Sequence, residues 1–314
     1  MRHFLDLRDL TQEDIIGILA EAQRRKLVRS HGEERSLDGK ALAMIFEKHS
    51  TRTRVSFEVA IRELGGYPVV LQKEDLQLGR GETVADTARV LSRYVHALML
   101  RAYRHETLIE LAQYATVPVI NGLTNLLHPC QVLADIMTIE ERLSNIHGKK
   151  IAWIGDGNNM ANSWITAAMK LDLTLVMACP ANLQPDAAIL AEAKQAGAKI
   201  TLVDNPEDAA RDADVITTDT WVSMGDDDTL TRKQAFHGYQ VNETLMGLAN
   251  KEAIFLHCLP AHRGEEVSDA VLDGSQSAVW DEAENRLHIQ KAILCWCVES
   301  ADDDQFKMAR ASQP

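Results

Sequence analysis

Short apolar runs alternate along this chain with stretches whose apolar residues recur every three or four positions. The runs Ala41 to Phe46, Tyr67 to Leu71, Ala97 to Leu100 and Val117 to Ile120 read as buried strands. Helices are expected between them. Gln12 to Arg25 is capped by Asp9 or Thr11 and turns Ile15, Ile16 and Leu19 inward. Val55, Val59, Ala60 and Leu64 form one face of a helix ending at Gly65-Gly66. Thr83 to Tyr94, Thr107 to Tyr114 and Val132 to Leu143 complete the first half. Polar loops are expected over Ser30 to Asp38 and Lys73 to Glu82, the second of them mobile.

A second series begins near His147-Gly148-Lys149. It reads as strand Lys150 to Ile154, helix Met160 to Lys170, strand Leu173 to Ala178 and helix Ala187 to Gln195, closed by Gly197. Strand Lys199 to Val203, helix Pro206 to Asp212 and strand Val215 to Thr218 follow. Beyond an acidic, solvated loop at Asp226 to Asp228 come strand Ile254 to His257 and a short strand, Ala278 to Asp281. Glu284 to Glu299 is a long helix with Arg286 in its first turn, and Asp302 to Pro314 is a polar, frayed tail. The alternation predicts an α/β protein with two doubly wound domains and mostly parallel sheets. In such sheets ligands sit beyond the carboxyl ends of the strands.

Composition narrows the partners. The 314 residues carry a formal net charge of -13, which argues against nucleic acid and anionic membrane surfaces. No apolar run is long enough to span a bilayer, and Met1 to Asp6 lacks the apolar core of a signal peptide. The 5 cysteines are scattered and form no paired zinc spacing, so a reduced, cytoplasmic protein is expected; no ligand cluster for a metal is evident, and no metal or organic cofactor is expected.

An acidic protein that binds an anion must gather its positive groups locally. Ser50-Thr51-Arg52-Thr53-Arg54 follows a buried strand and opens a helix. Free N–H groups and the positive end of the helix dipole lie there, joined by hydroxyls and guanidiniums, a recipe for phosphate binding. The plainer alternative is an N-cap with solvated arginines. Arg101 and His128 also lie just past strand ends. In the second half Gly155-Asp156-Gly157 invites a dinucleotide reading, but Met160 stands where the third small residue belongs, and Asn158-Asn159 leave little room for a pyrophosphate. Asp219 and Cys258 also follow strand ends, so the thiol is expected to face one crevice with Asp219 and Asn159.

Four motifs together resemble the ornithine carbamoyltransferases, within the aspartate/ornithine carbamoyltransferase superfamily. They are Phe46-x-Lys48-x-Ser50-Thr51-Arg52-Thr53-Arg54, His128-Pro129-Cys130-Gln131, Asp219-x-x-x-Ser223-Met224-Gly225 and His257-Cys258-Leu259-Pro260. The first is shared with the aspartate branch; the last two are similar to the ornithine branch. The resemblance covers nearly the whole chain. It implies a carbamoyl phosphate domain at 1–140 with the terminal helix, 284–314, crossing back to it, an ornithine domain at 141–283, and a shared cleft. It implies a homotrimer with sites near subunit interfaces. Ser50, Thr51, Arg52 and Thr53 would then hold phosphate, and Arg101, His128 and Gln131 the carbamoyl group. Gln77 would reach into a neighbouring subunit's site, and Arg286 would add a phosphate or carbonyl contact. Asn159, Asp219, Ser223 and Met224 would hold ornithine, with Cys258 and Leu259 between both substrates. Arg101, His128, Asp219 and Cys258 would carry the catalytic roles. The product would be citrulline, in arginine biosynthesis. Acceptors such as putrescine, N-acetylornithine or aspartate, a nucleotide-dependent oxidoreductase, and a silent binding protein on the same scaffold are the competing readings.

Overall fold

A computed structural model describes residues 1–32, 34–75, 81–222 and 229–311. The chain divides into two compact units, one of Met1–Cys130 with Arg286–Pro314 and one of Gln131–Asn285.

The first unit contains α1 (Gln12–Val28), β1 (Ala41–Phe46), α2 (Thr51–Glu63), β2 (Tyr67–Gln72), α3 (Val84–Leu91), β3 (Ala97–Arg101), α4 (His105–Tyr114), β4 (Val119–Leu123) and the start of α5 (Pro129–Leu143). Its sheet runs β2-β1-β3-β4, and every pairing is parallel. β1 is buried throughout, which explains its unbroken apolar run. Ala41, Ala43 and Ile45 pack with Leu98, Leu100, Leu108, Leu111 and Val119. The register sets Phe46 beside Arg101, so the ends of β1 and β3 lie level.

Helix caps follow their sequence signals. Thr11, not Asp9, caps α1 in a capping box with Asp14. α2 ends in a Schellman pair: Gly65 N–H donates to Arg62 O, Gly66 N–H to Ile61 O, and Gly65 has φ 90°. Two buried faces differ from expectation. On α1 Ile16 is exposed and Ile18 buried, and on α2 Val55 is exposed while Phe57, Ala60, Ile61 and Leu64 face the core. Phe57 and Ile61 share the arc of Thr53, and Val55 with Val59 lies on the other side of the helix. β4 runs three residues past its expected end, to Leu123, and its register shifts beside Arg101.

The second unit contains β5 (Lys150–Ile154), α6 (Asn159–Ala168), β6 (Thr174–Ala178), α7 (Ala187–Gln195), β7 (Lys199–Val203), α8 (Pro206–Ala210), β8 (Val215–Thr218), α9 (Thr229–Ala235), α10 (Glu243–Met246), β9 (Ile254–His257), α11 (Asp269–Leu272) and the start of α12 (Val279–Ala311). The parallel order is β7-β6-β5-β8-β9, doubly wound, with the switch point between β5 and β8. Ile154, Ala178, Ile216, Phe255 and Val279 join in one core.

The strand expected over Ala278 to Asp281 does not form. Residues around Ser277 make only a lone bridge to Phe255, and Val279 starts α12. Arg286 therefore stands two turns into this helix rather than in its first. α12 continues to Ala311 where a frayed tail was expected; no glycine or proline interrupts the sequence between Val279 and Gln313. From Arg286 onward α12 belongs to the first unit. There Lys291 pairs with Glu63, and Trp296 Nε1 donates to Asp14 Oδ1 at 3.2 Å. Among the described residues no helix is long and apolar enough to cross a membrane.

Gly157 shows why the dinucleotide motif is only apparent. Its N–H donates to Leu183 O at 2.8 Å, and an added Cβ would lie 2.2 Å from the carbonyl carbon of Gln184. The chain's own backbone occupies the space a pyrophosphate would need. Replacing Gly157 with Ala is therefore expected to lower stability by about 1–3 kcal/mol, read as a fall in melting temperature; an unchanged melting temperature would contradict the close approach.

Candidate active site

At the carboxyl end of β1, Ser50 adopts extended backbone and caps α2, its Oγ accepting from Thr53 N–H at 3.3 Å. The first turn holds no acidic residue, so nothing opposes an anion at the positive end of the dipole. Thr51 and Arg52 are exposed, and Arg52 has no carboxylate partner among the described residues. Arg54 differs: its Nε donates to Glu58 at 2.8 Å, one turn along. Ser50, Thr51 and Arg54 border a cavity of about 570 Å³ whose other lining includes His49, Val55 and Val59.

Thr53 is wholly buried, and its hydroxyl joins elements far apart in sequence. Arg101, at the end of β3, donates to Thr53 Oγ1 at 3.1 Å, and Arg286 of α12 donates to the same oxygen at 2.9 Å. His128 directly precedes α5 and is buried. Burial first, and then the positive charges of Arg286 and Arg101, hold its imidazole well below its ordinary pKa. This histidine is neutral at pH 7 and can donate a hydrogen bond without carrying charge. Ser50, Thr53, Arg101, His128 and Arg286 therefore all belong to the first unit, three of them joined directly through one hydroxyl.

The second unit builds a site of opposite sign past β8 and β9. Asp219 Oδ1 accepts from Thr220 N–H at 2.8 Å and from the Cys258 thiol at 3.1 Å. Its Oδ2 accepts from Asn158 Nδ2 at 2.8 Å. Asn158 also caps α6, its Oδ1 accepting from Met160 and Ala161 N–H. Cys258 is raised well above the usual thiol range, first by burial and then by the negative charge of Asp219 and Glu282. It is a protonated donor, not a thiolate nucleophile.

Leu259 follows with φ 56°, a conformation that a branched residue adopts only when its surroundings impose it. Its N–H donates to His257 Nδ1 at 2.9 Å, which leaves Nε2 as the protonated nitrogen facing Glu266 Oε1 at 3.2 Å. Asp219, His257 and Cys258 offer metal-type ligand atoms within 4.8 Å of one another, yet these hydrogen bonds already engage both imidazole nitrogens. Gln131 completes the unit, its amide nitrogen donating to Asp135 and Glu282. Gln77, Ser223 and Met224 lie outside the described residues. Asn159 is the first residue of α6, adjacent to Asn158.

Residues 2–141 match the carbamoyl-P binding domain of aspartate/ornithine carbamoyltransferase, and residues 147–297 match its Asp/Orn binding domain. The chain belongs to the aspartate/ornithine carbamoyltransferase family. It is 55% identical to an ornithine carbamoyltransferase of Rhodopseudomonas palustris over 94% of this chain and 97% of the relative. It is 52% identical to one of Methanoculleus marisnigri over 93% of this chain and 96% of the relative. The solved ornithine carbamoyltransferase of Pyrococcus furiosus superposes with a TM-score of 0.90 at 50% identity, covering 95% of this chain and 97% of that one.

Within this carbamoyltransferase fold, sequence reading missed Asn158, Glu266, Asp135 and Glu282. Asn158 carried a legible signal, since Asn before a helical run is a preferred N-cap. The three carboxylates read as ordinary helix or loop acids, and only their buried partners distinguish them.

Two measurements test these electrostatics. Below pH of about 6.5 the unfolded chain protonates at residue 128 while the folded chain does not. Stability should fall as the pH drops from 7 towards 5, by at most about 1.4 kcal/mol per pH unit from this one group. His128→Gln should remove that part of the slope, and melting curves for the two proteins that stay parallel across this range would refute it. Iodoacetamide should label Cys258 slowly at pH 8. Asp219→Asn, by deleting the nearest negative charge, should speed labelling several-fold; an unchanged rate would separate Asp219 from the thiol.

Proposed function

We propose that this chain transfers the carbamoyl group of carbamoyl phosphate to the δ-amine of L-ornithine, giving L-citrulline and phosphate. The observation that supports the reading is that one unit carries a basic, buried cluster on Thr53 and the other an acidic cluster on Asp219. The first suits a dianionic acyl phosphate, the second an ammonium group.

Ser50, Thr51, Arg52 and Thr53 hold the phosphate on the N-terminus of α2, with Arg286 beside them. Arg101, neutral His128 and Thr53 donate to the carbamoyl oxygen, where negative charge gathers as the amine attacks. Charge on the departing phosphate then grows, and Arg52 with the helix N-terminus stabilises it. Gln131 and Leu259 hold the carbamoyl amide side. Asp219 binds the α-ammonium, Asn159 the carboxylate, and Ser223 and Met224 the remaining chain. The Cys258 thiol donates to Asp219, which keeps that carboxylate oriented. The δ-amine must attack as the neutral base, although an alkylamine is mostly protonated at pH 7. Cationic groups around the carbamoyl carbon favour loss of that proton.

A homotrimer is part of this reading. Val55, Tyr67 and Val69 are exposed apolar side chains on α2 and the edge strand β2, and Val55 also lines the cavity bordered by Ser50. Such a face is suited to burial against another copy, from which Gln77 reaches the phosphate. The reaction belongs to arginine biosynthesis in the cytoplasm.

The decisive experiment measures ureido product from carbamoyl phosphate with L-ornithine, putrescine, N-acetylornithine and aspartate in parallel. Turnover with ornithine alone is expected. Turnover with another acceptor would keep the phosphate half and overturn the assignment of Asp219; none with any would overturn the reaction. Arg52→Ala should cut kcat/KM for carbamoyl phosphate by about 100-fold or more, and unchanged kinetics would remove this turn from the site.

A further inference from the structure

Gln131 is wholly buried in the first turn of α5, and its side-chain hydrogen-bonding capacity is accounted for except at one acceptor. Its amide nitrogen has two hydrogens. One goes to Asp135 Oδ1 at 2.8 Å and the other to Glu282 Oε1 at 2.9 Å. Asp135 lies one turn further along α5, and Glu282 stands in the first turn of α12. Both are buried, and an ionised carboxylate only accepts. Reversing the Gln131 amide would set its oxygen against two carboxylates, so the orientation has one solution. Oε1 faces away from both acids. It is buried and has no hydrogen-bond partner among the described residues. A buried acceptor without a donor is unfavourable and marks a place where a donor belongs.

Glu282 has a second attachment. Its Oε2 accepts from the backbone N–H of His257 at 2.8 Å, the residue before Cys258. One buried carboxylate thus fixes both the Gln131 amide and the base of the turn that carries Cys258 and Leu259.

We propose that Asp135 and Glu282 are positioning residues that hold Gln131 as an acceptor-only amide for the N–H₂ of the carbamoyl group. Glu282 ties that amide to the turn carrying Cys258. The proposal rests on the carbamoyl phosphate reading of the site and adds a specificity consequence. An acyl phosphate with a methyl in place of the amide, such as acetyl phosphate, leaves Oε1 without a donor and is rejected for that reason.

Glu282→Gln tests this sharply. A glutamine offers one acceptor where two donors arrive, so either Gln131 Nε2 or His257 N–H must face an N–H₂. Three quantities are read: kcat/KM for carbamoyl phosphate, the competitive inhibition constant of acetyl phosphate, and that of inorganic phosphate. The expected result is a loss of about tenfold in kcat/KM, the worth of one hydrogen bond. The preference for carbamoyl over acetyl phosphate should shrink similarly, with inorganic phosphate inhibition unchanged within about twofold. Glu282→Asp, which keeps two acceptors, should recover part of the loss. Wild-type kinetics in Glu282→Gln would overturn the positioning role. So would an equal loss of inorganic phosphate binding, which marks a general structural defect. Should that variant fail to fold, Asp135→Ala removes a single acceptor and is read in the same way. Absence of turnover in the unaltered enzyme would overturn the reaction itself, and the carbamoyl role of Gln131 with it.

Discussion

Two guanidinium groups, Arg101 and Arg286, converge on the hydroxyl of Thr53, and the first unit is arranged around that convergence. Like charges this close repel, and burial strengthens the repulsion because little water screens it. The arrangement holds because Thr53 sits on the inner face of α2, because β1 and β3 end level with each other, and because α12 returns to the first unit from Arg286 onward. In the proposed reaction a dianion would relieve what the arrangement costs. A chain with net charge -13 thereby concentrates positive charge on a few buried side chains and one helix N-terminus, as the proposed anion site requires. His128 fits the same logic. A third full charge beside two arginines would be expensive, and the histidine stays neutral while keeping its capacity to donate.

The second unit solves the complementary problem. Asp219, Glu282 and Asp135 bring negative charge to one region, and neutral side-chain donors bond to them, among them an amide at Asn158, another at Gln131, and the Cys258 thiol. The thiol is kept protonated by the very carboxylate it serves. Neutral donors orient carboxylates without adding an opposing charge, which suits the ammonium role proposed for Asp219. The two units thus differ in sign, as an anionic donor and a cationic acceptor require.

Much of this was legible in sequence, for local reasons. Buried parallel strands read as unbroken apolar runs, and Ser50, Thr83 and Gly65-Gly66 mark helix ends through short-range chemistry. Strand ends then located Ser50, Arg101, Asp219 and Cys258. The failures share a cause in long-range packing. Val55 and Val59 were placed on the inner face because valine is apolar, yet Phe57 and Ile61 claim the core and leave Val55 exposed. Ala278 to Asp281 has strand composition but pairs with β9 only briefly before α12 begins. Glu282 and Glu266 matter through partners at Gln131 and His257, which no local pattern reveals.

The His257–Leu259 turn shows how far such partners reach. Leu259 adopts a left-handed conformation, which costs a non-glycine residue about 1 kcal/mol or more and must be imposed from outside. Its N–H is held by His257 Nδ1; the His257 ring is held by Glu266, and the His257 backbone by Glu282. Each link fixes the next: Glu266 selects the tautomer, the tautomer makes Nδ1 an acceptor, and that acceptor captures Leu259 N–H. The strained turn beside Asp219 is therefore held by the chain's own hydrogen bonds. In the proposed reaction this means that the groups flanking the amine are in place before it arrives, so that binding energy need not be used to assemble them.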